Sequence, residues 1–244
     1  MRDYELETRR RVEFIRGALK SAGAEGVVYG NSGGKDCALV GILSKMACAD
    51  TVGLIMPCGS KRNYEADRAD AEAVAEQFGL AVRIIDLAGV KAELVRAVGA
   101  AARLRDSALA NMAPRLRMAA LYAVAASENR LVAGTGNRSE IYMGYFTKWG
   151  DGAFDFNPIA DLTATEVYEF LRFLKAPDFL FRKPPSAGLF DGQTDEADMG
   201  ITYSRLDEFL LTGAADDGDR AVMERFHRSS GHKRQGAQQF GGGK

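Results

Sequence analysis

The segment Ser32-Gly33-Gly34-Lys35-Asp36 combines residue types that could bind a phosphate group. It stands between a short apolar run at 27–29 and a helix-forming run that opens near residue 36. Glycine adopts unusual φ angles and permits close approach, so the backbone N–H groups of such a loop can point at an anion. The positive end of the following helix adds to this attraction. The loop is a candidate phosphate cradle, with a structural Gly-Gly turn as the simpler alternative.

Two common phosphate-binding patterns do not fit this loop. A Walker A loop has four residues between its glycines and then Gly-Lys-Ser/Thr, and the dinucleotide fingerprint is G-x-G-x-x-G. The segment has neither spacing. Its own pattern, Ser-Gly-Gly-x-Asp directly after a strand, is the more specific signal.

Asp36 raises an electrostatic question, because an aspartate inside an anion cradle repels the ligand unless a cation lies between them. Asp36 therefore predicts a divalent metal, with Mg²⁺ bridging the phosphates. The alternative is an aspartate that caps the helix, worth about 1 kcal/mol. Glu140 follows a second apolar run, at 130–133. If both runs are strands of one parallel sheet, Glu140 and Asp36 lie at the same edge and can share the metal.

The order of apolar and amphipathic segments predicts an α/β fold, with a parallel sheet covered by helices on both faces. We expect strands at 27–29, 51–56, 81–86 and 130–133. We expect helices in the first twenty residues and at 38–47, 65–78, 116–128, 163–174 and 204–211. Thr163 and Glu166 have the spacing of a capping box. The aperiodic stretch 144–158 is typical of a functional loop, whereas GAADDGD and GAQQFGGGK have the composition of a mobile tail.

Composition limits the classes of partner. Lys plus Arg (32) nearly balances Asp plus Glu (33), so we expect no nucleic-acid and no membrane partner. The N-terminus lacks the apolar region of a signal peptide, and no apolar run approaches the ~18 residues of a membrane span, so a cytoplasmic protein is expected. Cys37, Cys48 and Cys58 indicate reduced thiols. The absence of C-x-x-C argues against zinc.

Several motifs, taken together, carry a family resemblance. The loop resembles the pyrophosphate loop of ATP pyrophosphatases, which split ATP into AMP and pyrophosphate. It is followed in order by RLRM (from Arg115), GTGNRSE, GYFTKWGDG, DFNPIADL, KPPSAGL and GQTDEADMGITY. With this order and spacing the chain resembles the ammonia-dependent NAD⁺ synthetases, from about residue 5 to His232-Lys233-Arg234. The resemblance implies a Rossmann-like fold of the adenine nucleotide alpha hydrolase type.

The resemblance also implies a reaction. ATP, as co-substrate with Mg²⁺, adenylates the nicotinate carboxylate of deamido-NAD⁺, pyrophosphate leaves, and ammonia attacks the acyl-adenylate to give NAD⁺ and AMP. It implies a homodimer. It further implies one domain over 1–212 and a partly mobile C-terminal segment, 213–244, that brings His-Lys-Arg to the substrate. No glutaminase domain precedes the loop, which begins about thirty residues into the chain, so free ammonia is the expected nitrogen source.

Roles are implied residue by residue. The resemblance assigns ATP binding to Gly30, Asn31, Ser32, Gly33, Gly34, Lys35, Asp36, Cys37, Thr135 and Ser186. It assigns Mg²⁺ binding to Asp36 and Glu140. It assigns deamido-NAD⁺ binding to Arg115, Lys148, Asp155, His232 and Lys233. The candidate catalytic residues are Asp36, Glu140 and Asp155, of which Asp155 could hold or accept the ammonium proton.

The chain departs from the family pattern at two positions near the phosphates. Cys37 replaces a serine; a thiol is a weaker donor, and at a helix N-terminus its pKa could be lowered. Ala164 replaces a lysine that the family assigns to ATP, with Lys35 or Lys183 as candidate substitutes. Two other functions therefore stay open: a tRNA-modifying ATP pyrophosphatase and a catalytically weakened nucleotide-binding paralogue. The near-neutral charge argues against the tRNA enzyme.

Overall fold

The computed structural model describes residues 2–59, 64–182 and 194–240. Its central feature is a parallel sheet of four strands, β1 (Gly26–Gly30), β2 (Thr51–Ile55), β3 (Ala81–Ile84) and β4 (Arg130–Ala133). The strands lie in the order β3-β2-β1-β4. Val28 of β1 pairs with Val52 on one side and with Val132 on the other. The predicted strands and the α/β fold class are confirmed, with strand ends shifted by no more than two residues.

Helices cover both faces of this sheet. They are α1 (Tyr4–Ala22), α2 (Lys35–Ala47), α3 (Ala66–Phe78), α4 (Ala88–Gly99), α5 (Asp106–Ser127), α6 (Arg138–Met143), α7 (Ala164–Phe173), α8 (Asp195–Met199), α9 (Tyr203–Thr212) and α10 (Asp217–Ser229), with 3₁₀ turns at Asp178–Phe181 and Gly231–Lys233. No helix within these described ranges is long and apolar enough to cross a membrane.

The two faces of β1 belong to two different cores. Val27 and Tyr29 pack with apolar residues of α1, α2 and α7, whereas Val28 packs with residues of α5. Successive side chains of a strand point to opposite faces, so a strand buried on both sides reads as a continuous apolar run. This explains why the short run VVY forms the central strand.

The start of the chain forms an ion pair with the first turn of α7. Arg2 Nε donates to Glu166 Oε1 at 2.7 Å, while Glu166 Oε2 accepts from the backbone N–H of Thr163 at 2.9 Å. The second contact belongs to the capping box predicted at Thr163, which is confirmed. Asp161 accepts from Arg2 at 2.9 Å and from Arg11 at 2.7 Å. These contacts hold the start of α1 close to the start of α7.

The C-terminal segment contains a helix where the sequence indicated mobile composition. Asp216 caps α10, because its Oδ1 accepts from the backbone N–H of Asp219 at 2.8 Å. Met223 of α10 is fully buried with Met143 and Leu206 in a third core. The prediction of a mobile stretch at GAADDGD is therefore wrong from Asp216 onward, since a buried apolar residue downstream anchors the helix.

Other helix predictions also need correction. Helix α5 begins at Asp106 rather than at 116 and contains Pro114, a residue that usually ends a helix. Helix α4 was not predicted. Its first backbone amide, Ala88 N–H, donates to Asp86 Oδ1 at 2.9 Å. The short α6 was also missed, and α2 begins three residues before the predicted start.

Candidate active site

The main cleft lies where the carboxyl ends of β1 and β4 meet. The chain runs from β1 to β2 and β3 on one side and then returns to β4 on the other side of β1. Such a reversal is a topological switch point, where open parallel sheets bind ligands. The loops that follow β1 and β4 line a cleft of about 840 Å³.

The glycine loop after β1 forms one wall of the cleft. Gly33 has a φ of 70°, and a Cβ at this position would collide with the main-chain oxygen of Asp67, so glycine is required. Asn31 holds the turn, because its Oδ1 accepts from Gly33 N–H at 3.3 Å. Helix α2 begins right after Gly34, and the first amides of a helix lack intrahelical acceptors. This arrangement is the one expected of an anion cradle.

Cys37 lies beneath the loop in the first core. Its Sγ donates to Gly34 O at 3.1 Å and lies 3.4 Å from Ser32 Oγ. Burial raises the pKa of the Cys37 thiol, and the hydrogen bonds from the loop only partly oppose this. The expectation of a lowered pKa is therefore wrong, because the loss of hydration outweighs the helix N-terminus.

Asp36 and Glu140 are joined by a single amide side chain. Asn137 Nδ2 donates to Asp36 Oδ1 at 3.0 Å. Asn137 also caps α6: its Oδ1 accepts from Glu140 N–H at 3.0 Å, and Glu140 Oε2 accepts from Asn137 N–H at 2.9 Å. The N-cap position of α2 is Gly34, so the alternative role of Asp36 as a helix cap is excluded.

The surroundings of these two carboxylates suit a cation. Asp195 is buried nearby and accepts from Tyr203 Oη at 3.0 Å, and Lys35 Nζ lies 2.6 Å from Asp36 Oδ2. Loss of hydration and the charge of Asp36 raise the pKa of Glu140. Mg²⁺ prefers carboxylate and phosphate oxygens and needs only one or two carboxylates. Asp36 and Glu140, which both line the cleft, supply that number.

The opposite wall is the aperiodic stretch predicted to be functional. Asp151 lines the cleft, and its Oδ1 accepts from Thr147 N–H at 2.9 Å. The surrounding protein partly excludes water and raises the pKa of Asp151, although the residue itself is exposed to solvent. Lys233 reaches in from the C-terminal 3₁₀ turn and donates to Gly144 O and Phe146 O, each at 2.8 Å. Burial lowers the pKa of Lys233.

Most of the predicted ATP and metal residues come together around this cleft. The lining includes Gly30, Asn31, Ser32, Gly33, Gly34, Lys35, Asp36, Cys37, Thr135 and Glu140. Lys233, a predicted substrate residue, also lines the cleft. Ser186 and Lys183 lie outside the described residues.

Three predicted substrate residues lie beside the cleft rather than in its lining. Arg115 is exposed, and its Nη2 donates to Lys148 O at 3.5 Å. Lys148 Nζ donates to His232 O at 2.5 Å and lies 5.3 Å from the centroid of the Trp149 ring. These contacts link three residues outside the cleft lining, and the substrate roles of Arg115, Lys148 and His232 stay predictions.

Asp155 is held at the edge of the sheet. Its Oδ2 accepts from Val132 N–H at 2.7 Å, and its Oδ1 accepts from Tyr122 Oη at 3.2 Å. Loss of hydration together with the charge of Asp155 raises the pKa of Tyr122 to about 12. These contacts place the Asp155 carboxylate outside the cleft lining and satisfy it there. The catalytic and deamido-NAD⁺ roles of Asp155 stay predictions.

Sequence reasoning missed Asn137 and Asp151. The spacing of Asn137 and Glu140 is that of a capping box, so the sequence did contain a signal for a helix start. Asp151 lies within the motif GYFTKWGDG, but only the fold shows that it lines the same cleft as the loop after β1.

A Ser-Gly-Gly-Lys-Asp loop at the switch point of a parallel sheet, with two tethered carboxylates beside it, defines an α/β protein of the ATP pyrophosphatase type. Comparison with known proteins narrows the class, since the NAD synthase family model matches residues 7–235. The chain belongs to this family.

Individual relatives agree over nearly the whole chain. It is 44% identical over 235 residues to an NH(3)-dependent NAD(+) synthetase of Carboxydothermus hydrogenoformans, covering 95% of this chain and 96% of that one. A synthetase of the same name from Archaeoglobus fulgidus is 42% identical, with 96% and 95% covered. The solved NMN synthetase from Francisella tularensis aligns with a TM-score of 0.92 at 34% identity, covering 98% and 99%. The solved NH3-dependent NAD synthetase from Campylobacter jejuni aligns with a TM-score of 0.80 at 28% identity, again covering 98% and 99%.

Proposed function

We propose that this protein is a ligase that amidates deamido-NAD⁺ with ammonia, using ATP and releasing AMP and pyrophosphate. The observation that carries the proposal is the tether from Asn137 to Asp36 and Glu140, which sets two carboxylates beside a phosphate-binding loop. Membership of the NAD synthase family supports the same conclusion. It does not favour a tRNA-modifying enzyme.

The chain's own groups suit adenylation of a carboxylate. Amides of the loop after β1 would hold the triphosphate, and its α-phosphorus would be attacked by the carboxylate oxygen of the substrate. Pyrophosphate then leaves with the electrons of the broken P–O bond. Mg²⁺, held by Asp36 and Glu140, would supply positive charge that offsets the repulsion between two anions.

Asp151 is suited to the second half of the reaction. Ammonia attacks the carbonyl carbon of the acyl-adenylate, a C–N bond forms, and the C–O bond to AMP breaks. The attacking nitrogen must lose a proton, and a carboxylate with a raised pKa is a better acceptor than an ordinary one. We assign this role to Asp151, because Asp151 lines the cleft.

The proposal is tested with purified protein, ATP, Mg²⁺, deamido-NAD⁺ and ammonium. We expect NAD⁺, AMP and pyrophosphate in equal amounts, and no product when glutamine replaces ammonium. Asp36→Ala should abolish product, whereas Asp178→Ala, a carboxylate that is 86% exposed, should not. ATP binding without turnover in the wild-type protein would point to the weakened paralogue.

A second candidate acid is nicotinate mononucleotide, which would give the mononucleotide NMN as product. The observation that favours it is the TM-score of 0.92 to an NMN synthetase, against 0.80 to an NAD synthetase. Sequence identity favours the dinucleotide, at 44% to an NAD synthetase. The ratio of kcat/KM for the two acids, at the same ATP and ammonium concentrations, decides between them.

A homodimer is also proposed. Helix α4 has no buried residue, and Val90 and Leu94 on it, with Ile84 of the neighbouring β3, are 51%, 36% and 44% exposed. An apolar patch of this kind often marks an interface, and a second copy would cover it. Sedimentation should give a dimer, and Val90→Glu with Leu94→Glu should give a monomer. Leu211→Glu, at an exposed leucine elsewhere, is the matched control.

A further inference from the structure

Lys35 is an unusual lysine, because it is only 6% exposed. Lysine is rarely buried unless it is paired. Here Nζ lies 2.6 Å from Asp36 Oδ2 and 5.6 and 5.5 Å from the ring centroids of Tyr168 and Tyr203. The ammonium group is thus held inside the protein by one ion pair and two aromatic faces.

The carboxylates around Lys35 explain why the ammonium group stays there. Burial alone lowers the pKa of Lys35, but the charges of Asp36 and Glu140 more than offset this and raise it. Asp195 adds a further negative charge close to Glu140. The cluster therefore needs positive charge, and Lys35 supplies it.

The same ion pair stands in the way of a metal. Both oxygens of Asp36 have donors, since Oδ1 accepts from Asn137 and Oδ2 from Lys35. The Asn137 amide is fixed by its place in the cap of α6, whereas a lysine ammonium sits on a flexible four-carbon stem. Two cations on one carboxylate oxygen repel each other strongly at low dielectric. Of the two donors, Lys35 is the one that can leave.

We propose that Lys35 is an internal counter-ion that occupies the Asp36 carboxylate in the metal-free enzyme and is displaced when a divalent cation binds. Its ammonium group then becomes available to the phosphates in the cleft. Lys35 is in this sense a positioning residue that sets how tightly the enzyme holds metal before nucleotide arrives. The inference rests on the proposed function, because it takes Asp36 as a metal ligand.

The first test measures Mn²⁺ binding to nucleotide-free protein from the electron paramagnetic resonance signal of free Mn²⁺. Lys35→Gln should bind Mn²⁺ at least about tenfold more tightly than wild type, because the competing charge is gone. The matched control is Lys45→Gln at the far end of α2, where Nζ donates to Ala49 O, and it should match wild type. Asp36→Asn should bind weakly with or without Lys35→Gln. Equal or weaker binding by Lys35→Gln overturns the inference.

A second test uses wild-type protein and so does not depend on the variant folding. An acylating reagent is applied with and without Mn²⁺, and labelling of each lysine is read by mass spectrometry. Lys35 should be protected in metal-free protein and become labelled when Mn²⁺ is added, with Lys45 unchanged. Protection that Mn²⁺ does not relieve overturns the inference.

Amide formation is measured separately on the same samples. If amide formation is normal but the Mn²⁺-binding test or the labelling test fails, the counter-ion role is wrong and the proposed function is unaffected. If no protein binds Mn²⁺ and none forms the amide, the counter-ion role and the proposed function are both wrong.

Discussion

The side-chain amide of Asn137 donates to Asp36 at 3.0 Å while its carbonyl oxygen caps the helix that carries Glu140. Residues more than a hundred positions apart are thus set by one fully buried side chain. The placement of the two carboxylates depends on a helix cap as much as on the sheet.

Asn137→Asp tests this relationship. Aspartate caps helices as well as asparagine does, so α6 should persist. The donor to Asp36 is replaced by an additional carboxylate, and kcat/KM for amide formation should fall at least about tenfold. Asn129→Asp is the matched control, because Asn129 is exposed and its Nδ2 donates to Gly23 O far from the cleft. Wild-type activity in Asn137→Asp would show that the tether is dispensable.

Asp151 and Asp155 can be distinguished by the same substitution. Asp151→Asn keeps an acceptor for Thr147 N–H but cannot take a proton, so kcat should fall by about 10²-fold or more with the KM for ATP unchanged. Asp155→Asn keeps an acceptor for Val132 N–H and should retain most of kcat. Steady-state kinetics with varied ATP and ammonium measure both. A larger loss in Asp155→Asn than in Asp151→Asn would support the sequence-based assignment to Asp155.

Lys233 should matter for the shape of the cleft wall, and Lys148 should matter much less. Lys233→Met removes two hydrogen bonds from a charged donor, each worth about 1.5 to 3 kcal/mol. We expect lower thermal stability and a higher KM for the acid substrate. Lys148→Met removes one exposed contact and should change stability by less than about 1 kcal/mol. Thermal unfolding and KM are measured for both; equal effects would contradict the difference in burial.

The raised pKa of the Cys37 thiol predicts that the protein becomes less stable at alkaline pH. Its pKa is raised in the folded protein, so the folded state keeps the proton where the unfolded thiol, near 8.5, has lost it. The contribution of Cys37 to the free energy of unfolding is therefore fully present below about pH 8.5. It falls as the pH rises, by at most about 1.4 kcal/mol per pH unit.

Cys37→Ser should remove this part of the dependence between pH 8 and 10, measured by chemical denaturation. Cys48→Ser, at a partly exposed thiol, should leave it in place. If wild type and Cys37→Ser have the same slope, the thiol does not titrate on unfolding in the way that its burial requires.

Much of the site follows from the sequence because the carboxyl ends of parallel strands share one edge. Placing an apolar run before Gly30 and another before Gly134 is enough to bring Asp36 and Glu140 near each other. The glycine loop and the capping box at Thr163 are likewise local patterns. These parts required no knowledge of distant contacts.

The remaining features depend on tertiary contacts that no local pattern records. Pro114 sits inside α5 although proline usually ends helices, and it packs where the backbone of Gly150 approaches. Cys37 has a raised rather than lowered pKa because the core lies beneath it. Asp155, which was predicted from a motif, accepts a hydrogen bond from Val132 N–H of β4.

The bond from Arg2 to Glu166 has a practical consequence for handling the protein. Glu166 joins the chain start to the first turn of α7, a helix that packs against α2, so a fusion at this end begins beside the Arg2–Glu166 ion pair. An affinity tag at this end is expected to lower the melting temperature by weakening that ion pair, and a tag at the other end of the chain leaves the pair intact.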